Sequence, residues 1–153
     1  MSDKVKIKID EREILAENGA NLLATALANG VKIPHFCWHE CLPVSGNCRL
    51  CAVEVKGMRG LQISCNTAVK EGMEVTTNSD KVRAFRKSVL EFLLANHPLD
   101  CPVCDKSYEC PLQNYTFEYG THTSWMDDAD KTSQKRRFER RNVSDVLFVE
   151  MDR

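Results

Sequence analysis

Three thiols and one imidazole, Cys101, Cys104, Cys110 and His97, fall within fourteen residues that also hold Pro98 and Pro102, with Pro111 directly following. They make a complete ligand set for a soft metal centre. Thiolates select Zn(II) or iron–sulfur clusters, and Cys101-x-x-Cys104 puts two sulfurs on one tight turn. The prolines fix φ and remove backbone donors, so the loop is stiff and cannot prolong a preceding helix.

Five more cysteines lie upstream: Cys37, Cys41, Cys48, Cys51 and Cys65. The spacing Cys37-x10-Cys48-x2-Cys51-x13-Cys65 offers four thiolates, the number that a [2Fe–2S] cluster requires, and leaves Cys41 spare. Gly46, just before Cys48, lets the backbone curl close to a cluster and aim N–H groups at its sulfides, a determinant of potential. His35 and His39 flank this loop and read as surface or packing residues. Eight cysteines could in principle pair, but the chain opens without an apolar secretory segment. Clustered cysteines in a reducing compartment bind metal.

The elements that must position these ligands follow from periodicity. Val5, Ile7 and Ile9 alternate with charged residues as in a half-buried strand, Glu11-Arg12 turns, and Ile14-Leu15 returns to make a hairpin. Asn18-Gly19 breaks it. Leu22, Leu23, Ala26 and Leu27 have helical spacing, with Gly30 as the stop. Residues 33–51 form a long loop, and loops of that length in small domains are usually functional. Ala52–Val55, Leu61–Ser64 and Glu74–Thr76 read as strands. Val82, Phe85, Val89, Phe92 and Leu93 suggest the apolar face of a helix capped by Asn78 or Ser79 and ended by His97-Pro98. Pro111–Tyr119 reads as another short helix whose Tyr115, Phe117 and Tyr119 pack. Residues 121–142 are polar and extended, acidic at Asp127, Asp128 and Asp130, then basic from Lys131 to Arg141. They suit a solvated or protein-docking segment. Val146–Val149 is β-prone.

The 153 residues, 42% hydrophobic and 28% charged with a net charge of −1, read as soluble and globular, and exclude a nucleic-acid binder that relies on an overall positive field. The most apolar run, 89–95, contains Glu91 and falls far short of the roughly 18 residues that span a bilayer. There is no glycine-rich nucleotide loop and no nucleophile–base constellation.

The runs His35-Phe36-Cys37, Gly46-Asn47-Cys48-Arg49-Leu50-Cys51-Ala52-Val53-Glu54-Val55 and Ser64-Cys65 resemble the N-terminal region of the G-subunit family of NADH-quinone oxidoreductase, respiratory complex I, whose mitochondrial counterpart is the 75 kDa subunit. Asn96-His97-Pro98-Leu99-Asp100-Cys101-Pro102-Val103-Cys104-Asp105-Lys106, then Glu109-Cys110-Pro111-Leu112-Gln113 and Glu118-Tyr119-Gly120, are similar to that family's His-ligated [4Fe–4S] segment. The resemblance spans residues 35–120. It departs at Ser107-Tyr108, where the family usually has two glycines, and at Cys41, which has no counterpart.

The resemblance implies an α+β fold: a β-grasp [2Fe–2S] ferredoxin-like domain over 1–78, a small helical [4Fe–4S] domain with one histidine and three cysteine ligands over 79–120, and an extended tail over 121–153. It implies that Cys37, Cys48, Cys51 and Cys65 hold a [2Fe–2S] cluster, and that His97, Cys101, Cys104 and Cys110 hold a [4Fe–4S] cluster. The implied role is electron transfer within an oxidoreductase complex, with no substrate-converting site in this chain. Implied partners are a flavin- and NADH-binding subunit and further iron–sulfur subunits, without nucleic acid or direct membrane insertion. The implied location is the cytoplasmic side of the inner membrane, peripherally through those partners. Family members continue past the equivalent of residue 153 into a module with more clusters, so the chain is expected to be truncated before it. The same module occurs in iron-only and NAD-reducing hydrogenases and in formate dehydrogenases. A structural zinc protein is the alternative of another class.

Overall fold

A computed structural model describes residues 3–121, 123–127 and 141–149. The alternation at the N-terminus forms β1 (Lys4–Ile9), which pairs antiparallel with β2 (Arg12–Glu17) and buries Val5, Ile7, Ile9 and Ile14. Its turn is Asp10-Glu11, one residue earlier than periodicity suggests, because Asp10 takes a positive φ of 53° and Arg12 already pairs with Ile9. The Asp10 carboxylate then accepts from the backbone N–H and the hydroxyl of Thr77, each at 2.7 Å. The hairpin is thereby tied to a segment 67 residues away.

Helix α1 (Leu22–Ala28) buries Leu22, Leu23 and Ala26. At its end Gly30, with φ of +73°, donates to Leu27 O while Val31 donates to Ala26 O. This paired closure satisfies the last carbonyls and needs the left-handed backbone that glycine adopts without strain. The strands β3 (Ala52–Val55), β4 (Leu61–Ile63) and β5 (Glu74–Thr76) complete a mixed five-stranded sheet of order β2-β1-β5-β3-β4. The β1–β5 pair is parallel and the others are antiparallel. Lys56 bonds Glu74 at 2.8 Å and holds its carboxyl below the ordinary value, but an exposed pair contributes little. The core gathers Ile7, Ile9, Leu22, Leu23, Val53 and Val75 beside Cys51 and Cys65.

Helix α2 (Asp80–Leu94) starts where Ser79 Oγ accepts from Val82 N–H at 3.2 Å. Its face corrects the sequence expectation. The buried stripe is Val82, Arg86 and Leu90, four residues apart, whereas Phe85, Phe92 and Leu93 are exposed. Periodicity favours the aromatic stripe because it scores an arginine as solvent-facing, yet Arg86 is 1% exposed.

The chain divides into two compact units, Met1–Val89 and Leu90–Arg153. In the second, a 3-10 turn over Cys101–Val103 precedes α3 (Pro111–Tyr119), with Pro111 in its first turn. Tyr115 and Tyr119 pair with ring centroids 6.2 Å apart, but Phe117 is 73% exposed, so the expectation that all three aromatics pack is corrected. β6 (Arg141–Asn142) and β7 (Phe148–Val149) form a small antiparallel hairpin. Of the acidic and basic run, only Asp127 and Arg141 lie within the described residues. Among the described residues no helix is long and apolar enough to cross a membrane.

Candidate metal centres

The first cysteine set is assembled by three pieces of the first unit. Ile33 and Pro34 anchor the start of the loop in the core, and His35 Nδ1 lies 2.8 Å from Ile33 O while its ring meets Trp38 edge-on. The chain then turns back through Gly46 (φ 62°) and Arg49 (φ 59°). That reversal brings Cys48 N–H to Cys37 Sγ at 3.3 Å. Burial works to raise the Cys37 thiol, but hydrogen bonds from Cys48 and Asn47 outweigh it and hold its pKa below the ordinary value. Backbone N–H groups of this loop are thus already directed at a cysteine sulfur.

Cys51 leads into β3 and is buried; its carbonyl accepts from both the hydroxyl and the N–H of Ser64, at 2.8 and 3.2 Å. Cys65 sits in a 3-10 turn over Ser64–Asn66 and is also buried. Its carbonyl accepts from Asn21 Nδ2 at 2.6 Å, while Asn21 Oδ1 caps α1 through Ala24 N–H at 3.1 Å. Neither support is marked by a local motif: Ser64 is adjacent to Cys65, but Asn21 is 44 residues from it.

Burial pushes the Cys65 thiol up from 9.0 to about 12, helped by a hydrogen bond with Cys51 and by repulsion from Cys51, Cys37 and Cys48. The other three thiols of the set therefore all act on Cys65. Four thiolates so placed would repel one another, and a metal held by them would take the place of their protons. In the metal-free protein the protonated Cys65 stabilises the fold below pH about 9, its unfolded value, and that contribution is lost as pH rises through about 12. Urea unfolding of metal-free protein should accordingly give a midpoint that falls from pH 9 upward. Cys65→Ala should flatten that fall; an equal fall in both would count against the linkage.

The second set lies in the second unit. His97 follows α2, with its N–H on Leu94 O, and Pro98 prevents further helix. Cys101 opens the 3-10 turn, Cys104 N–H closes it onto Cys101 O at 3.2 Å, and Cys110 is the N-cap of α3. His97, Cys101 and Cys110 line one cavity of about 370 Å³, with Leu94, Leu99 and Leu112 among its apolar walls. Cys104 stands outside that lining, on the turn beside it. The cavity is comparable to sites that enclose small cofactors, roughly 300–1,000 Å³.

Tyr108 adopts φ +67° with its side chain 92% exposed, and its N–H meets Gln113 Oε1 at 3.2 Å. A left-handed tyrosine costs about 1–2 kcal/mol that glycine would not. Tyr108→Gly should therefore raise stability by about 0.5–1 kcal/mol after the extra freedom of the unfolded chain is deducted. Thermal unfolding would read this, and a lowered midpoint would contradict the strain.

All eight cysteines are free, and Cys41 is exposed with its N–H on His39 Nδ1 at 3.2 Å. Among the described residues no three His, Cys, Asp or Glu side chains are gathered tightly enough to hold a single metal ion.

Two cysteine groups, the second joined by His97, thus sit on an α+β scaffold, and the matches to known iron–sulfur regions give their class. The chain belongs to the family of the 2Fe-2S iron-sulfur cluster binding domain, whose profile matches residues 2–80, and the NADH-ubiquinone oxidoreductase-G iron-sulfur binding region matches residues 86–124. It thus carries binding regions for a [2Fe–2S] and a [4Fe–4S] cluster. It is 41% identical over 151 residues to the second NADH-quinone oxidoreductase G subunit of Rhizobium meliloti, covering 97% of this chain and 17% of the relative. The mitochondrial NADH-ubiquinone oxidoreductase 78 kDa subunit of Candida albicans is 37% identical over 150 residues, covering 98% and 20%. The NADH-quinone oxidoreductase G subunit of Rickettsia felis is 43% identical over 134 residues, covering 88% and 20%. The chain thus spans 17–20% of the length of these curated relatives. Among solved structures, a chain of NAD+-reducing [NiFe]-hydrogenase in the H2-reduced state matches with a TM-score of 0.73 at 36% identity, over 80% of this chain and 52% of that one.

Proposed function

We propose that this chain is an electron-transfer segment of an NADH-quinone oxidoreductase G subunit, with Cys37, Cys48, Cys51 and Cys65 holding the [2Fe–2S] cluster and His97, Cys101, Cys104 and Cys110 the [4Fe–4S] cluster. The observation that carries the reading is that each matched region contains one complete candidate set, the first with Cys37, Cys48 and Cys51 all acting on Cys65. The bound clusters supply one-electron steps that break no bonds. The chain's residues do the rest: the 33–51 loop offers N–H groups to sulfur, the buried Cys51 and Cys65 exclude water, and the proline-stiffened 97–111 loop keeps its ligands in place. Replacing one thiolate by the neutral His97 leaves the second cluster less negative, which favours its reduced form.

The first domain is taken as 1–78, the helical domain with one histidine and three cysteine ligands as 79–120, and the tail as 121–153. Phe92, Leu99, Val103, Phe117 and Trp125 are exposed in the second unit. Large exposed apolar side chains suit burial against other protein, here further iron–sulfur subunits and a flavin- and NADH-binding subunit. Such an assembly would hold the chain peripherally at the cytoplasmic face of the membrane. The likeness to the hydrogenase chain favours one second reading, the same electron-transfer unit in an NAD-reducing hydrogenase, and the subunits that co-purify would separate the two.

The test is anaerobic purification with iron and acid-labile sulfide analysis, followed by paramagnetic resonance of the reduced protein. Two spin systems, from a two-iron and a four-iron centre, are expected. Zinc without sulfide would overturn the proposal.

A further inference from the structure

We infer that Arg86 is the residue that holds the reduction potential of the [2Fe–2S] cluster up, by keeping a permanent positive charge in the protein interior against the backbone of the ligand segment. The inference rests on the assignment of Cys37, Cys48, Cys51 and Cys65 to that cluster.

Arg86 is 1% exposed, although α2 also carries Lys81, Arg83 and Lys87, all of which face solvent. Among the described residues only two charged side chains are buried, Arg86 and Glu91. Arg86 Nη2 donates to Ala52 O at 3.1 Å. Ala52 directly follows Cys51, whose own carbonyl is clasped by Ser64. The guanidinium is thus delivered to the backbone one residue beyond a ligand, within the first compact unit and one helical turn from the buried Val82.

Burying a guanidinium is costly, and an arginine does not escape that cost by losing its proton. An apolar residue would fill the middle of this helix stripe more cheaply. A positive charge kept here gains most when negative charge accumulates nearby. With four thiolates and two sulfides, the oxidised two-iron cluster is a dianion; one electron makes it a trianion, with no proton taken up. A fixed cation in a poorly screened interior stabilises the trianion more than the dianion, which raises the potential. Arg86 acts through the Cys51–Ala52 backbone and the local field, as a positioning residue.

The test uses the full chain carrying both clusters. The midpoint of the two-iron signal is followed by resonance-monitored redox titration in wild type, Arg86→Met, Arg86→Gln and Arg86→Lys. Charge removal in the Met and Gln variants should disfavour reduction at least tenfold, which is a fall of about 59 mV or more for one electron. Arg86→Lys should recover much of the difference. Arg83→Met, which removes an exposed charge on the same helix, should move the midpoint far less because solvent screens it. An unmoved midpoint in Arg86→Met or Arg86→Gln with the two-iron signal intact would overturn the inference. So would a failure of both variants to assemble the cluster, since Arg86 would then be a folding residue. The underlying assignment fails differently: Cys51→Ala would leave the two-iron signal in place.

Discussion

Cys65→Ala should abolish the two-iron spin signal while the four-iron signal persists. The alanine removes a thiolate from a turn where Cys65 is 1% exposed, so water cannot readily take its place as a ligand. The backbone of that turn should survive, since it is held through carbonyls and hydroxyls: Asn21 to Cys65 O, and Ser64 to Cys51 O. Loss should therefore be chemical rather than structural, with far-ultraviolet dichroism close to wild type. Iron and sulfide analysis would fall by the two-iron share alone. Persistence of the two-iron signal would remove Cys65 from the ligand set, and loss of both signals would mean that the two regions fold as one.

Leu22→Ala should cost about 2–5 kcal/mol, the usual range for deleting a fully buried leucine side chain. Leu22 is 0% exposed, and its N–H donates to Thr67 O at 2.9 Å, one residue past the turn that carries Cys65. The substitution leaves that hydrogen bond but empties the space between α1 and the sheet. With typical domain stabilities of about 5–15 kcal/mol, the fold should persist at low temperature with a much lower unfolding midpoint. Urea titration of the cluster-loaded protein would measure it. A change below about 1 kcal/mol would mean that the α1–sheet contact is not the core it resembles.

What periodicity and spacing reveal is local. The alternation of Val5, Ile7 and Ile9, the stop at Gly30, the Ser79 cap and the strand positions around the cysteine loop are each dictated within a few residues, and each is found in the fold. The ligand candidates are readable because sulfur is chemically distinctive. What escapes is long-range. The parallel pairing of β1 with β5 joins Ile9 to Val75 and leaves no local pattern. The buried face of α2 is misassigned because hydrophobic period ranks Phe85 and Phe92 above Arg86, while packing puts the arginine inside. That Cys101 and Cys110 line the cavity while Cys104 does not is a matter of three-dimensional placement, which spacing does not encode.

The side chain of Asn21 has its two ends in different employment: the oxygen starts a helix and the nitrogen grips the carbonyl of Cys65. The helix start and the Cys65 turn are consequently one mechanical unit. Order imposed on the Cys65 turn would pass to the first turn of α1 through the Asn21 amide and through the Leu22 N–H on Thr67 O, and fraying of that turn would loosen Cys65. The Ala24 N–H, hydrogen-bonded to the Asn21 oxygen, becomes a built-in gauge of cluster occupancy. Its hydrogen exchange should quicken when the two-iron centre is removed, so that a backbone proton far along the sequence reports on metal it never touches.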